Sequence, residues 1–451
     1  MMRKYFDPLL LMLILTASGC VVEPDYVPRP IDTFIKYYGI SGSNEVVDMI
    51  MSNEGNIIIL GNEETSAFAA SKDIVILEID TVGNLLKKKT IDVQSLYIGD
   101  SLYSFGITDD DAVRIKAVDG GYLLCANFTA KDDDVNGLGS KIFWCELDEN
   151  YNIIRKQVIS DADYYWEVGD IIQLEDGNIV IAGGTDKIED NEEDVENPQK
   201  QRYLTKRSIE NDTIFWSKTF GYDEVDDFAI GIFELSDSNL GVIGWTEKSS
   251  DDGFAGVNAT FAVSSEIASS LTLDVILGFE FNGNTDFDDV VGDFIYTQTE
   301  DVIIVGTSTS NSDVDPRSFP FLFRISKEGF LVFKELLASS TLGLNSGGMD
   351  VTISAQNDLI ITGVFNNYED SITLQTYNDQ ILFMRTDQFG KITNDYQSYQ
   401  NHFGLTDGDD IGKAILTLPD GSIAIAATMD FGNSRTLISY LKINSKGILK
   451  R

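Results

Sequence analysis

The sequence predicts an all-β fold, a seven-bladed β-propeller of four-stranded antiparallel blades, and three observations predict it. First, a tight-turn pair followed by an apolar run that stops at a small residue recurs along the chain: Asp176-Gly177 before Gly183, Glu54-Gly55 before Gly61, Asp119-Gly120 before Ala126, Asp237-Ser238 before Gly244, Gln356-Asn357 before Gly363 and Asp420-Gly421 before Ala427, with Thr299-Glu300 before Gly306 as the weak copy. Copies about sixty residues apart are the mark of a repeat architecture. Second, each repeat holds four strand-like runs, and a four-stranded antiparallel unit repeated around an axis is a propeller blade. Third, the two ends of the chain are complementary: an orphan strand precedes the first repeat, and the last repeat lacks one.

Taken in order, the N-terminus reads as an export signal. Arg3 and Lys4 precede the apolar run from Leu9 to Leu15, which is too short to span a bilayer as a helix, and Ala17-Ser18-Gly19-Cys20 follows. These small residues ending at a cysteine resemble a bacterial lipobox, with Ala17 where that family more often has Leu. The resemblance implies cleavage before Cys20 and lipidation of that residue, so that residues 1–19 are a signal peptide. Val21 after the cysteine implies, by the family's sorting habit, the outer membrane rather than retention at the inner one. Residues 20–30, with Pro24, Pro28 and Pro30, form a stiff extended tether.

Residues 31–451 are expected to form one domain, because a closed repeat array is the usual exception to a length prior of roughly 150 residues per domain. A formal net charge of -40 and a pI near 4.1 exclude nucleic acid and anionic headgroups as partners and favour cations or basic partners. Apolar content of 43%, with 18 Tyr and 26 Phe, supplies material for a core. A monomer is expected.

In the third repeat the four runs are Gly169 to Leu174, Asn178 to Gly183, Arg202 to Ser208 and Thr213 to Phe220. The second is apolar at nearly every position, as a strand buried on both faces should be, and the fourth mixes Lys and Ser with aromatics, as an outer edge should. Third-strand runs recur at Ile74 to Ile79, Ile142 to Leu147, Phe321 to Ile325, Ile381 to Thr386 and Ile438 to Ile443. Most lead into a turn ending on glycine (Gly83, Gly329, Gly390, Gly447), where the backbone needs positive φ. The fourth repeat is irregular: its third run, near Asn258 to Val263, precedes a Ser-rich stretch.

The segment Thr33 to Gly39 matches the fourth-strand segment Ile214 to Gly221, whereas the chain stops just after the third strand of its last repeat. The N-terminal strand is therefore expected to pair with Leu437 to Ile443, closing the ring and removing two exposed edges. The pattern resembles the seven-bladed repeat propellers of bacterial exported proteins over residues 31–451. That resemblance implies a fold and leaves function open, because propellers host many unrelated activities.

Strand parity places the loops between second and third strands, and the loops between blades, at one end of the ring. Both carry acidic clusters: Asp109 to Asp111, Asp226-Asp227, Asp288-Asp289 and Asp407, Asp409, Asp410 between blades, and Asp132 to Asp134, the run from Asp186 to Glu196, Asp251-Asp252 and Asp313, Asp315 between strands. This end is the candidate working face. Asp109, Asp227, Asp289 and Asp410 share a column ten residues before the turn pair, with Asn44 and Ser346, and a short polar side chain at a strand entry accepts backbone N–H bonds. Asp132, Asp134 and Asn136, followed by Gly137, have the spacing of the first half of a calcium loop. The second half departs from it, with Ser140 and Phe143 in the ninth and twelfth places, so calcium and a solvated acidic loop both stand as readings. Asn311, Asp313 and Asp315 alternate similarly but run into Pro316.

Tyr164, Tyr165 and Trp166 enter the third blade on the same end, and Trp245 ends a second strand there. Aromatics so placed stack on sugar rings, anchor a protein partner, or pack over neighbouring strand ends. Cys125 and Cys145 fall on adjacent strands of one blade, which makes them a candidate disulfide unless a one-residue offset turns them to opposite faces. His402 stands in a fourth strand where Thr219 stands in the third repeat, a structural position. The chain has no His/Cys cluster for zinc, no phosphate loop and no nucleophile elbow. Two functions remain: a lipid-anchored, non-catalytic binding or scaffold module for a protein or glycan of the cell envelope, or a glycan-active enzyme using paired carboxylates in a central funnel.

Overall fold

Every blade is built on a left-handed turn. Gly55, Gly120, Gly177 and Gly421 have φ of 81°, 83°, 79° and 78°, and where the turn pair lacks glycine the same conformation is held by Ser238 (56°), Glu300 (63°) and Asn357 (63°). The computed structural model describes residues 33–39, 42–64, 71–93, 95–98, 101–104, 108–130, 140–160, 164–187, 199–222, 224–248, 256–265, 271–277, 287–310, 317–337, 345–366, 378–392, 400–405, 408–432 and 435–449. They form seven four-stranded antiparallel sheets and one short hairpin, Ser95–Ile98 with Ser101–Ser104, inserted between the first two blades.

Blades one to six occupy residues 44–91, 108–159, 166–220, 227–276, 287–336 and 345–403, each with its strands in sequence order. The seventh has residues 411–443 as its inner three strands and takes Phe34–Tyr38 as its outer one. Phe34 pairs with Lys442 and Tyr38 with Ile438, antiparallel, as the complementary ends require. The third repeat shows how closely runs become strands: Trp166–Gln173, Ile179–Thr185, Gln201–Arg207 and Ile214–Phe220. In the irregular fourth blade the third strand is Gly256–Ser265, longer at both ends than its apolar run.

The second strands are apolar at successive positions because each sheet buries both faces. Ile179–Thr185 is buried throughout, and its alternate residues feed different cores: Ile179 and Ile181 pack toward blade two, Val180 and Ala182 toward blade four. Seven apolar clusters result, one in each gap between neighbouring blades.

The small residue that ends the repeat motif has a steric cause. All seven inner strands carry a register shift at one place, between Val46 and Asp48, Ala112 and Arg114, Val168 and Asp170, Ala229 and Gly231, Val291 and Asp293, Gly348 and Asp350, and Gly412 and Ala414. The bulged strand turns a carbonyl onto the facing residue of the second strand. A Cβ added to Gly183 would lie 1.9 Å from the Glu167 oxygen, and one on Gly363 2.0 Å from the Gly347 oxygen. A β-bulge also re-aims the side chain beyond it, and here that side chain is turned onto the ring axis.

Candidate functional site

The residues beyond the bulges are Asp48, Asp170, Asp293 and Asp350, with Arg114 in blade two and the small residues Gly231 and Ala414 in blades four and seven. One oxygen of each aspartate accepts the N–H of the next residue: Met49 at 2.8 Å, Ile171 at 2.8 Å, Phe294 at 2.7 Å and Val351 at 2.6 Å. The second oxygen of three of them accepts an N–H from the following blade: Ile115 at 3.1 Å, Ile232 at 3.2 Å and Ile415 at 2.7 Å. The Arg114 guanidinium meets the remaining oxygen, that of Asp293, and lies 3.8 Å from Asp170 and 3.9 Å from Asp48, while the Lys116 ammonium is 3.5 Å from Asp170. Blade five lies across the ring from blade two, so the two side chains meet only at the axis.

Burial opposes a charged Arg114, but Asp293, Asp48 and Asp170 together hold its pKa well above the ordinary value. Asp350 is pushed the other way: burial first, then the charges of Asp293 and Asp48, raise it well above the usual carboxylate range. Burial also raises Asp48, against the pull of Arg114. Chemically the axis is a plug of four aspartates set around Arg114 and Lys116. The oxygens of Asp48, Asp170 and Asp350 are taken up by backbone donors, and a general acid or base needs an oxygen that faces substrate. A sequence signal for this cluster exists: aspartate six residues before the turn pair in blades one, three, five and six. It is interrupted by Gly231 and Ala414, and Arg114 stands one place nearer its turn because the Val118–Gly121 hairpin is tighter than the others.

Most of the described acids between blades are structural clasps. Asp109, Asp226, Asp288 and Asp409 each accept the N–H at the start of the preceding blade's third strand, from Lys72 (3.2 Å), Lys200 (2.8 Å), Val257 (2.9 Å) and Asp379 (3.0 Å). The residue after each is fully buried. Asp110 accepts from Val93 at 2.9 Å, Asp227 from Tyr222 at 2.7 Å and Asp410 from Leu405, all at the exit of the preceding outer strand. The capping column read from the sequence therefore holds for Asp227 and Asp410, Asp289 occupies the matching buried position, and in blade two the member is Asp110 rather than Asp109, again because that turn is shorter. Burial raises Asp110 to about 7 and Asp227 and Asp410 to about 6. Arg202, without exposed surface, adds a second clasp by gripping Asp274 of the next blade with both nitrogens at 2.9 and 2.7 Å.

Of the aromatic candidates, Trp166 is a core residue, a correction to its reading as a ligand contact. It opens the inner strand of blade three opposite Thr185, is 7% exposed, and meets Tyr203 edge-on at 4.8 Å inside the cluster shared with blade two. Tyr164 and Tyr165 are half-buried beside it. Tyr165 is clamped: its hydroxyl donates to Glu167 at 2.7 Å, its N–H to Asp186 at 2.6 Å, and the Lys200 ammonium sits 4.2 Å from the ring centre. Tyr164 carries Lys187 at 5.3 Å. Trp245, half-buried, stacks on Phe228 at 6.0 Å.

The candidate disulfide is also corrected. Cys125 pairs with Trp144, and Cys145 with Leu124, so the thiols are one residue out of register on opposite faces of the sheet. Both are free and buried, Cys125 in the core toward blade three and Cys145 in that toward blade one. His402 lies in the outer strand of blade six, stacked on Phe365 at 4.8 Å and bonded to Gln380, consistent with its structural reading.

Cys20 and the calcium-loop candidates Asp132, Asp134 and Asn136 lie outside the described residues. Among those described, Asp73, Asp92 and Asp110 bring three carboxylate oxygens within 4.8 Å of one another at the junction of blades one and two, the donor set for a hard cation such as calcium.

No family model matches the chain, and no curated protein does. Among solved structures it is similar to a protein of unknown function from Dyadobacter fermentans (12% identity, covering 93% of this chain and 100% of that one, TM-score 0.49), to an α-L-arabinanase of Penicillium chrysogenum complexed with arabinobiose (9%, 94% and 100%, TM-score 0.44), and to Drosophila Plexin A in complex with Semaphorin 1b (8%, 91% and 86%, TM-score 0.44).

Proposed function

We propose that this chain is a lipid-anchored, exported propeller that acts as a non-catalytic binding or scaffold module for a protein or glycan of the cell envelope, working through the loops of its acidic end. The observation that carries this reading is the use already made of the interior carboxylates. Those at the axis are bonded to backbone N–H groups and to Arg114, and those between blades clasp strand ends. The acids left for recognition are those of the loops between second and third strands. Carboxylates crowded there repel one another unless counter-charge is near, which favours a basic partner or bridging calcium.

The test neutralises Asp132, Asp133, Asp134, Asp251 and Asp252 to asparagine. Wild-type protein immobilised through its C-terminus is expected to retain an envelope component in a manner weakened by salt, since rim contacts are screened over roughly 8 Å at physiological ionic strength, and the variant to lose it. Calcium, if it bridges these loops, raises the wild-type melting temperature by mass action and leaves the variant unchanged. Equal retention by both proteins at every salt concentration, or hydrolysis of an envelope oligosaccharide by the wild type, would overturn the reading.

A further inference from the structure

The end opposite the acidic loops carries a feature that the binding role leaves unused. In each of blades one to six the outer strand, or the turn that feeds it, begins with large apolar side chains that face solvent: Leu86 (49% exposed), Ile154 (50%), Phe215 (55%), Leu271 (39%), Phe330 (70%) and Phe389 (55%). Third strands run toward the tight-turn end, so the turns into the outer strands emerge there, and these residues form a crown around its rim. Other exposed large apolar residues of the described chain sit on the same end or adjoin the crown, apart from Tyr37, Val290 and Phe431. Scattered exposed apolar residues are ordinary, whereas their repetition at one level around a ring makes a surface.

The chain itself says what this surface meets. Phe34 pairs with Lys442, next to the Asn444–Gly447 turn, and Tyr38 pairs with Ile438 farther up the strand. Thr33 therefore lies at the tight-turn end, at the outer rim, and residues 1–32, with the apolar run from Leu9 to Leu15 and Cys20, join the ring on the crown side. A tether of about ten extended residues reaches roughly 30 Å, about the width of a small domain, so an anchored ring stays within touching distance of its bilayer. The doubled aspartates lie on the far end, whereas the crown end mixes turn acids such as Asp80, Asp148, Asp212 and Asp387 with the bases Lys87, Arg155, Lys327 and Lys391, a mixed charge that suits zwitterionic headgroups.

We propose that the crown is a bilayer-docking surface that lays the tight-turn end against zwitterionic lipid headgroups and points the acidic end outward. The proposal rests on the lipid-anchored reading of Cys20. Aromatic and aliphatic side chains on a rim enter the headgroup boundary as interfacial anchors do, and the net charge of -40 makes zwitterionic rather than anionic lipid the surface they fit.

The experiment uses the full-length chain, with palmitate incorporation measured first. Phe215→Cys, Phe330→Cys and Glu247→Cys variants, the last on the acidic end, are each labelled with a fluorophore at the new thiol, which the buried Cys125 and Cys145 leave distinct. The labelled proteins are reconstituted on phosphatidylcholine vesicles carrying a headgroup quencher. Palmitate incorporation, with at least threefold stronger quenching at positions 215 and 330 than at 247, is the expected result. Palmitoylated protein quenched equally at all three positions, or more strongly at 247, overturns the docking surface and leaves the anchor standing. Absence of palmitate removes the anchor and overturns the docking surface with it. Phe330, the more exposed site, keeps the test alive if the Phe215 variant folds poorly.

Discussion

Arg114 of blade two and Asp293 of blade five, 179 residues apart in sequence, form an ion pair across the ring axis. Neighbouring blades meet through the apolar gaps and the carboxylate clasps, whereas this pair joins opposite sides of the ring and brings the bulge residues of blades one, two, three and five together. A buried pair of this kind is weak evidence for net stability over an apolar core, but the loss of one partner leaves an uncompensated charge. Here it ties together two blades that share no apolar gap.

The bulge geometry predicts that Gly183→Ala destabilises the ring by about 1–3 kcal/mol, in the range of overpacked cores. A Cβ there meets backbone alone, the Glu167 carbonyl and the Val168 Cα, and no flexible side chain that could yield. Denaturant titration should show a lower midpoint with an unchanged slope.

Glu300 holds the left-handed turn position that glycine fills in four blades. Glu300→Gly should stabilise by about 1 kcal/mol, the typical cost of left-handed backbone for a residue with a Cβ. The salt bridge lost with it, to Lys327, joins side chains 75% and 45% exposed and adds little. Thermal unfolding that rises by a few degrees bears this out, and an unchanged or lower midpoint contradicts it.

The weak copy of the repeat motif thus marks local strain within an intact blade, and the fold was legible because such turns, apolar second strands and small bulge partners are local. Ring closure was legible too, since Thr33 to Gly39 looks like an outer strand without a blade. Less legible was anything that depended on register. The one-residue difference in the Val118–Gly121 turn moved the buried aspartate from position 109 to 110, and the pairing of Cys125 with Trp144 separated two cysteines that sequence distance alone brings together. Trp166 looked like a surface aromatic because the equivalent positions are mostly polar, yet its indole fills a gap between blades. The axial cluster stayed hidden because its members are far apart in sequence and meet only when the ring closes.

Stability should fall as pH rises from 5 to 8. Asp110 has its folded value raised to about 7 and Asp410 to about 6, so the folded state binds more protons than the unfolded chain in this window. The stabilisation is fully present below the unfolded carboxylate range and is lost as pH passes through those folded values. An Asp110→Asn, Asp410→Asn double variant keeps an acceptor oxygen at each site and should show a flatter dependence of unfolding midpoint on pH, and an identical slope in both proteins would contradict the assignment.

Deleting residues 33–39 should expose the edge of the strand Thr436–Ile443 and replace one cooperative unfolding transition by a broad one with aggregation, whereas deleting residues 21–30 should leave the transition where it is. Calorimetry of the two deletions separates the closing strand from the tether.

Equilibrium unfolding of Arg114→Met at pH 8 and pH 4.5 tests most directly whether the axial carboxylates are a structural lock. With the guanidinium gone, Asp48, Asp170 and Asp293 lose their principal counter-charge beside an already raised Asp350, and a loss of about 3–5 kcal/mol is expected at pH 8. Part of that loss should be recovered at pH 4.5, where Asp48 and Asp350, both raised by burial, carry less charge than at pH 8. Wild-type stability of the variant at pH 8, or a deficit that is the same at both pH values, would contradict the lock.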